Sequence, residues 1–137
     1  MERQQRPPTR RGPAEWFTGE VFIDGITGNE QPPHASLGSV HFTPGARTAW
    51  HAHDAGQTLY VVEGVGIVAA RDGAVLALRP GDVVHAPASE WHWHGASTEH
   101  FMTHISITET GTAAQWGAHV TDEEYTQAVA RINDVQE

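Results

Sequence analysis

Between Gly19 and Thr108 the sequence consists of short stretches rich in Val, Ile, Thr and aromatic residues, which Gly, Pro and Asp separate at near-regular intervals. This pattern is typical of antiparallel strands joined by tight turns. The apolar spacing that marks an amphipathic helix is missing from the whole stretch. The chain is therefore predicted to fold as an all-β sandwich or barrel.

The turns of this predicted barrel are marked by pairs of turn-forming residues. Pro44-Gly45, Asp72-Gly73 and Pro80-Gly81 each combine residues that favour tight turns. The strands are predicted at residues 20–24, 38–43, 48–53, 58–62, 66–71, 75–78, 82–86, 92–95 and 102–108.

Helical signals are confined to the C-terminal end of the chain. Thr121 is followed three residues later by Glu124, which is the pattern of a capping box at a helix N-terminus. Tyr125, Val129 and Ile132 then recur at helical spacing. These residues predict a short C-terminal helix.

The length of the chain, 137 residues, corresponds to one domain. We expect a flexible basic tail over residues 1–13, a β-barrel over residues 14–120 and a helix over residues 121–137. The apolar runs, such as residues 59–62 and 67–70, are far shorter than the roughly 20 residues that a membrane-spanning helix needs. We therefore expect a cytoplasmic protein with no membrane partner.

Charge and composition exclude several classes of function. The formal net charge is −9, and Arg3, Arg6, Arg10 and Arg11 all precede the first predicted strand, so the rest of the chain is more acidic still. A strongly negative surface repels phosphate backbones, and nucleic acid is not expected as a partner. Cysteine is absent, which excludes disulfides and thiolate ligands. Lysine is absent too, which excludes a lysine Schiff base.

His51 and His53 are two residues apart in a predicted strand, so both imidazoles point to one face of the sheet. A metal ion above that face can be bound by both rings at about 2.0–2.2 Å. A single histidine on a strand is more often a hydrogen-bonded structural residue. That interpretation is preferred for four other histidines, His34, His41, His100 and His119.

Two ordered motifs surround this histidine pair and resemble those of the cupin superfamily. They read Gly45-x5-His51-x-His53-x3-Gln57-x6-Gly64 and Gly81-x5-Pro87-x4-His92. Gln57 stands where glutamate is usual, and Ser89 stands where glycine is usual. The resemblance implies a single-domain cupin, a jelly-roll barrel, that binds one divalent metal ion through His51, His53, Gln57 and His92.

The resemblance extends, over roughly residues 12 to 125, to small bacterial manganese-dependent cupin hydroxynitrile lyases. It implies manganese at the site, glutamine as an ordinary ligand at position 57, and a substrate pocket that includes Gly38 and Val40. Thr108 departs from those lyases, in which a pocket glutamine is expected. The segments that carry this resemblance are Trp16-Phe-Thr-Gly19, Pro44-Gly-Ala-Arg-Thr-Ala-Trp-His51, Gly56-Gln-Thr-Leu59, Pro80-Gly-Asp-Val-Val84, His92-Trp-His-Gly-Ala96, Met102-Thr-His104 and Val120-Thr-Asp-Glu123.

Three imidazoles and an amide are neutral ligands, so they leave the full 2+ charge of a bound metal in place. A metal with these ligands favours hydroxide, cyanide, alkoxide or enolate at its open positions. Neutral, nitrogen-rich ligation suits Mn, Fe, Ni, Cu or Zn.

His94 and His104 are candidates for a catalytic base. His94 follows ligand His92 by two residues and so shares its face, and His104 lies in the next predicted strand, which a hairpin can bring alongside. Either imidazole can take a proton from a hydroxyl group and return it. The alternative for each is a hydrogen bond to a ligand or to a bound water. His85 could face either side of its strand.

The tryptophans beside these histidines alternate with them along the strands. Trp50, Trp91 and Trp93 are therefore expected to point away from the metal and to pack in the core or at a subunit interface. Arg47 could bind a substrate carboxylate, although a structural salt bridge is preferred.

Three functions follow from these predictions. The first is a hydroxynitrile-lyase-like carbon–carbon lyase that acts on cyanohydrins, with the metal as Lewis acid and a histidine as base. The second is an Fe- or Ni-dependent dioxygenase, and the third is a non-catalytic cupin that binds a metal or a small molecule. In each case the expected partner is a small molecule, and a homodimer or homotetramer is expected because exposed sheet edges favour association.

Overall fold

The structure, a computed structural model, describes residue 1, residues 3–27 and residues 34–136 of the chain. Thirteen strands and one helix lie in this part of the chain. The strands are Arg10–Arg11 (β1), Phe17–Thr18 (β2), Val21–Gly25 (β3), Ala35–Phe42 (β4), Arg47–Thr48 (β5), His51–His53 (β6), Gln57–Gly64 (β7), Gly66–Ala70 (β8), Val75–Leu78 (β9), Val83–Ala86 (β10), His92–Ala96 (β11), Met102–Glu109 (β12) and Ala114–Trp116 (β13), and the helix is Asp122–Gln136 (α1).

The strands form two antiparallel sheets that curl into one barrel, as an all-β fold predicts. The order in one sheet is β1-β3-β4-β12-β7-β10. In the other it is β13-β6-β11-β5-β2, with β8 pairing with both β11 and β9. The predicted fold class, a mostly β chain with a short C-terminal helix, is confirmed.

The core lies in two places, inside the barrel and under the helix. Val21, Phe42, Val61 and Met102 belong to the interior cluster and are fully buried. A second cluster, which includes Trp93, Ile67 and Tyr125, packs the helix against the barrel. Trp93 thus points away from the barrel interior, because its neighbours in β11 point into it.

The capping box holds the start of the helix. The Glu124 amide donates a hydrogen bond to Thr121 Oγ1, and the Thr121 amide donates one to Glu124 Oε1, both at 3.1 Å. The hydroxyl of Tyr125 donates to the Ala96 carbonyl at 2.7 Å and joins the helix to β11.

The structure differs from the prediction in two places. Arg10 and Arg11, predicted in a free tail, form β1 and pair with Ile23 and Phe22 of β3. The strand predicted over residues 48–53 is interrupted at Trp50, whose amide donates to the Ala118 carbonyl instead of a ladder partner. Among the described residues, no helix has the length and apolar character needed to cross a membrane.

Candidate metal centre

Three of the four predicted metal ligands converge on one point. His51 and His53 lie on β6, and His92 on β11 is paired directly with His51. One nitrogen of each ring lies within 4.8 Å of the others. His51 and His92 are almost completely buried, so the cluster is formed by the interior faces of two neighbouring strands.

Backbone carbonyls fix the tautomers of two of these rings. His51 Nδ1 lies 2.9 Å from the Ala49 carbonyl, and His92 Nδ1 lies 3.0 Å from the Glu90 carbonyl. A carbonyl only accepts, so each Nδ1 carries the proton and each Nε2 presents its lone pair. This arrangement is the one that metal-binding histidines commonly use.

The fourth predicted ligand, Gln57, reaches the same point from β7. Its Nε2 donates to Ser106 Oγ at 2.9 Å, which turns Oε1 toward His92 Nε2, 3.0 Å away. With His92 protonated on Nδ1, two lone pairs face each other at that distance, an arrangement that a cation between them would stabilise. His53 Nε2 is buried and has no hydrogen-bond partner among the described residues. These donors fit a divalent metal ion of borderline softness, such as a first-row transition metal.

Burial keeps these imidazoles neutral. It is the largest cause that lowers the pKa of His51 to about 3 and the pKa of His53 to about 4, and repulsion from His92 adds to both shifts. Burial also lowers the pKa of His92 from its ordinary value. Since a metal binds only the neutral ring, the site is in its binding form at neutral pH.

His94 and His104, the two predicted bases, form a buried pair beside this cluster. His94 Nδ1 and His104 Nε2 are 3.0 Å apart, and the His94 ring centroid is 5.0 Å from that of His51. Burial lowers the pKa of His94 well below its ordinary value and that of His104 to about 3. The two outer ring nitrogens of the pair, His94 Nε2 and His104 Nδ1, are buried and have no hydrogen-bond partner among the described residues.

A cavity of about 460 Å³ opens beside these histidines. Gly38, Val40 and Thr108, the three residues predicted for the substrate pocket, all line it. A Cβ added at Gly38 would make an ordinary van der Waals contact with the Asp24 carbonyl oxygen, at 3.7 Å, so a small side chain would fit there. The structure thus brings all the predicted site residues into one region, while their roles stay predictions.

Three further residues of this region are not among those that the sequence predicts. Ser106 orients Gln57 and lies two residues after His104, so strand alternation could have identified it. Trp116 stacks on the His51 ring with centroids 4.7 Å apart, and Phe42 packs within 6 Å of both His94 and His104. No local pattern pointed to Trp116, because it reaches the site through the pairing of β13 with β6.

Arg47 does not line the cavity, so a role as a substrate carboxylate clamp is not supported. Its guanidinium is buried under the helix, where it donates to the Val120 carbonyl at 2.9 Å and to Asp122 at 2.7 Å.

His85 also lies outside the cavity, hydrogen-bonded to Thr58 on the outer surface. Trp50 points away from the metal cluster and donates to Glu124 of the helix.

A β-barrel built from two curled antiparallel sheets, with three histidines and a glutamine converging inside it, has the architecture of the cupins. The family described as Cupin domain matches residues 38–107, and the chain belongs to this family.

The chain is also similar to individual proteins of known name or structure. The chain is 50% identical over 117 residues to an (R)-mandelonitrile lyase of Granulicella tundricola, covering 84% of this chain and 89% of that protein. The crystal structure of a cupin-like protein from Thermotoga maritima is similar with a TM-score of 0.82 and 37% identity, over 86% of this chain and 91% of that chain. The polyketide cyclase RemF from Streptomyces resistomycificus shares the fold alone, with a TM-score of 0.70 and 16% identity over 96% of this chain and 98% of that one.

Proposed function

We propose that the protein is a manganese-dependent carbon–carbon lyase that cleaves cyanohydrins into an aldehyde or ketone and hydrogen cyanide. The observation that carries this proposal is the buried His94–His104 pair beside the three-histidine cluster in a single cavity. The 50% identity to an (R)-mandelonitrile lyase supports the same reaction class.

In this proposal His51, His53, Gln57 and His92 hold the metal. When bound, the ion would supply Lewis acidity toward the oxygen of the substrate, undiminished by any anionic ligand. Ser106 keeps the Gln57 oxygen directed at the site through its 2.9 Å hydrogen bond. The residues thereby position the hydroxyl group of a cyanohydrin at the metal end of the cavity.

The proton of that hydroxyl group passes to His94. In this proposal His94 carries its proton on Nδ1 and donates a hydrogen bond to His104 Nε2, 3.0 Å away, which leaves the unpartnered Nε2 of His94 as the acceptor. As the carbon–carbon bond breaks, its electron pair leaves with cyanide, and the oxygen electrons form the carbonyl. The His94 imidazolium then returns the proton to cyanide, so atoms and charge balance. His104 acts as the positioning residue that holds His94 in this tautomer.

Gly38, Val40 and Thr108 would bound the space for the substrate's side chain. The absence of a side chain at Gly38 leaves room for a substrate group there, and Val40 supplies an apolar wall. The hydroxyl of Thr108 is shorter than the side chain of glutamine, so this cavity is wider at that point than one with glutamine there. We expect substrates at least as large as mandelonitrile.

Cyanide release from mandelonitrile tests this proposal. The manganese-loaded protein should release cyanide above the buffer rate, and the chelator-stripped protein should not. His94→Ala should lower the rate at least tenfold while metal content is unchanged, because general-base catalysis typically contributes about 10²–10⁴-fold. His85→Ala, which removes an exposed imidazole outside the cavity, serves as the matched control and should keep the wild-type rate.

Absence of release from several cyanohydrins by the manganese-loaded wild type would overturn the lyase proposal. Unchanged release by His94→Ala would instead overturn the assignment of the base.

A further inference from the structure

The pairing register places Arg10 on the interior face of the sheet. Arg10 is opposite Ile23, Ile23 is opposite Val40, and Val40 is opposite His104. Residues directly opposite each other in antiparallel strands share a face. Arg10 therefore belongs to the same row of side chains as His104, and it lines the same cavity.

The two residues adjacent to Arg10 make contacts on the opposite face of the sheet, which supports this orientation. Arg11 lies over the Phe22 ring, 5.8 Å from its centroid, and donates to Glu20 at 3.0 Å. The hydroxyl of Thr9 donates to Asp24 on the same outer face. Because side chains alternate along a strand, these contacts direct Arg10, which is itself exposed, toward the face of the sheet that lines the cavity.

Arg10 also differs in charge from the other residues that line the cavity. Apart from the histidines, it is the single ionisable side chain among the described lining residues, and none of these is acidic. No carboxylate of the described residues lies within 4.0 Å of its guanidinium. The cavity thus has a cation at one end and the predicted metal ligands at the other, although the whole chain carries a net charge of −9.

We propose that Arg10 binds a carboxylate of the substrate and that the protein prefers cyanohydrins, and the aldehydes formed from them, that carry a carboxylate away from the reacting carbon. The reaction named in this inference rests on the proposed function, and the preference for a carboxylate does not. A guanidinium recognises a carboxylate by two parallel hydrogen bonds.

The dimensions of the row suit a ring-sized substrate. Three inter-strand steps of about 4.8 Å separate the backbones of Arg10 and His104 along the sheet, or ~14 Å in all. The cavity, about 460 Å³ in volume, has room for a ring that carries the reacting carbon on one side and a carboxylate on the other.

The test compares two ligands that differ only in the carboxylate. The manganese-loaded protein is titrated with 4-formylbenzoate and with benzaldehyde, and the fluorescence of its tryptophans, which include Trp116 in the cavity wall, reports binding. The wild type should bind 4-formylbenzoate about tenfold more tightly, the lower end of what a hydrogen bond between charged groups contributes. Arg10→Gln should remove this preference.

Arg11→Gln is the matched control, since it removes the adjacent guanidinium from the outer face, and it should retain the preference. Equal affinity of the wild type for both ligands would overturn the inference, as would a preference that survives in Arg10→Gln or disappears equally in Arg11→Gln.

Cyanide release from the two corresponding cyanohydrins separates this inference from the proposed function. Arg10-dependent binding without cyanide release from either compound would support the carboxylate site and contradict the lyase. Release from both at equal rates, with equal affinities of the two aldehydes, would support the lyase and contradict the carboxylate site.

Discussion

Gln57 determines how much charge a metal in this barrel retains. Its amide nitrogen donates a hydrogen bond to Ser106, so its oxygen is the atom that faces His92. A glutamate at this position would have the same reach but would neutralise one unit of the metal's charge. The amide therefore favours ligands that become anionic at the metal.

Gln57→Glu should keep the metal but bind anions more weakly. We expect the dissociation constant for azide to rise about tenfold, because a full negative charge is added within bonding distance of the ion. Metal content by elemental analysis and azide binding by calorimetry provide the two measurements. Gln127→Glu adds the same charge on the helix surface and should leave azide binding unchanged. Equal azide affinity of the wild type and Gln57→Glu would contradict the electrostatic argument.

Ser89 shows how a departure from the cupin motif is accommodated. It stands at the motif's usual glycine and adopts a φ of 64°, the left-handed conformation that favours glycine. Its amide donates to the His53 carbonyl at 2.9 Å, so this turn supports the strand that carries two of the histidines. Serine retains the backbone geometry of the motif at the cost of some strain.

At the scale of secondary structure, the helix depends on Arg47 for its position. Arg47 is 5% exposed, and its guanidinium donates two hydrogen bonds to the carbonyl of Val120, which lies just before the helix. It also lies 4.7 Å from the centroid of the Tyr125 ring. The contact with Asp122 adds little, because that carboxylate is almost fully exposed.

Arg47→Met should therefore destabilise the protein without emptying the metal site. We expect the free energy of unfolding to fall by about 2–3 kcal/mol, since a buried carbonyl loses its charged donor. Denaturant unfolding of the metal-free protein measures the change. Arg71→Met, which removes an exposed guanidinium above the Trp91 ring, is the control and should cost less than about 1 kcal/mol. A loss of metal content in Arg47→Met, with stability unchanged, would contradict the structural role.

Elements that form through local interactions can be predicted from the sequence, and elements that form through pairing with distant segments cannot. The sequence predicts the helix because its cap and its apolar spacing are local, and it predicts His51 and His53 on one face because strand alternation is local. The sequence does not predict β1, because Arg10-Arg11 has no apolar alternation and its partner β3 is more than ten residues away. The position of Trp116 is not predictable for the same reason, since its strand pairs with β6, which is distant in the sequence.

At the scale of the whole molecule, one outer face of the barrel remains apolar. Along β7, Leu59 and Val61 point inward, and Tyr60 and Val62 point outward with 45% and 46% of their surface exposed. Val83 on β10 is paired with Tyr60 and is 64% exposed. β10 is also the last strand of its sheet, with a free hydrogen-bonding edge in the described part of the chain.

This face should bury itself against a second copy of the chain, because exposed apolar strands at a sheet edge favour association. We expect light scattering at micromolar concentration to give a dimer or a larger assembly. The double variant Tyr60→Lys with Val83→Lys should be monomeric and should retain its metal, since both side chains point away from the cavity. Leu76→Lys, at an equally exposed position on β9 of the other sheet, should leave the assembly intact. A monomeric wild type would contradict association, and a double variant that stays assembled would exclude this face as the interface.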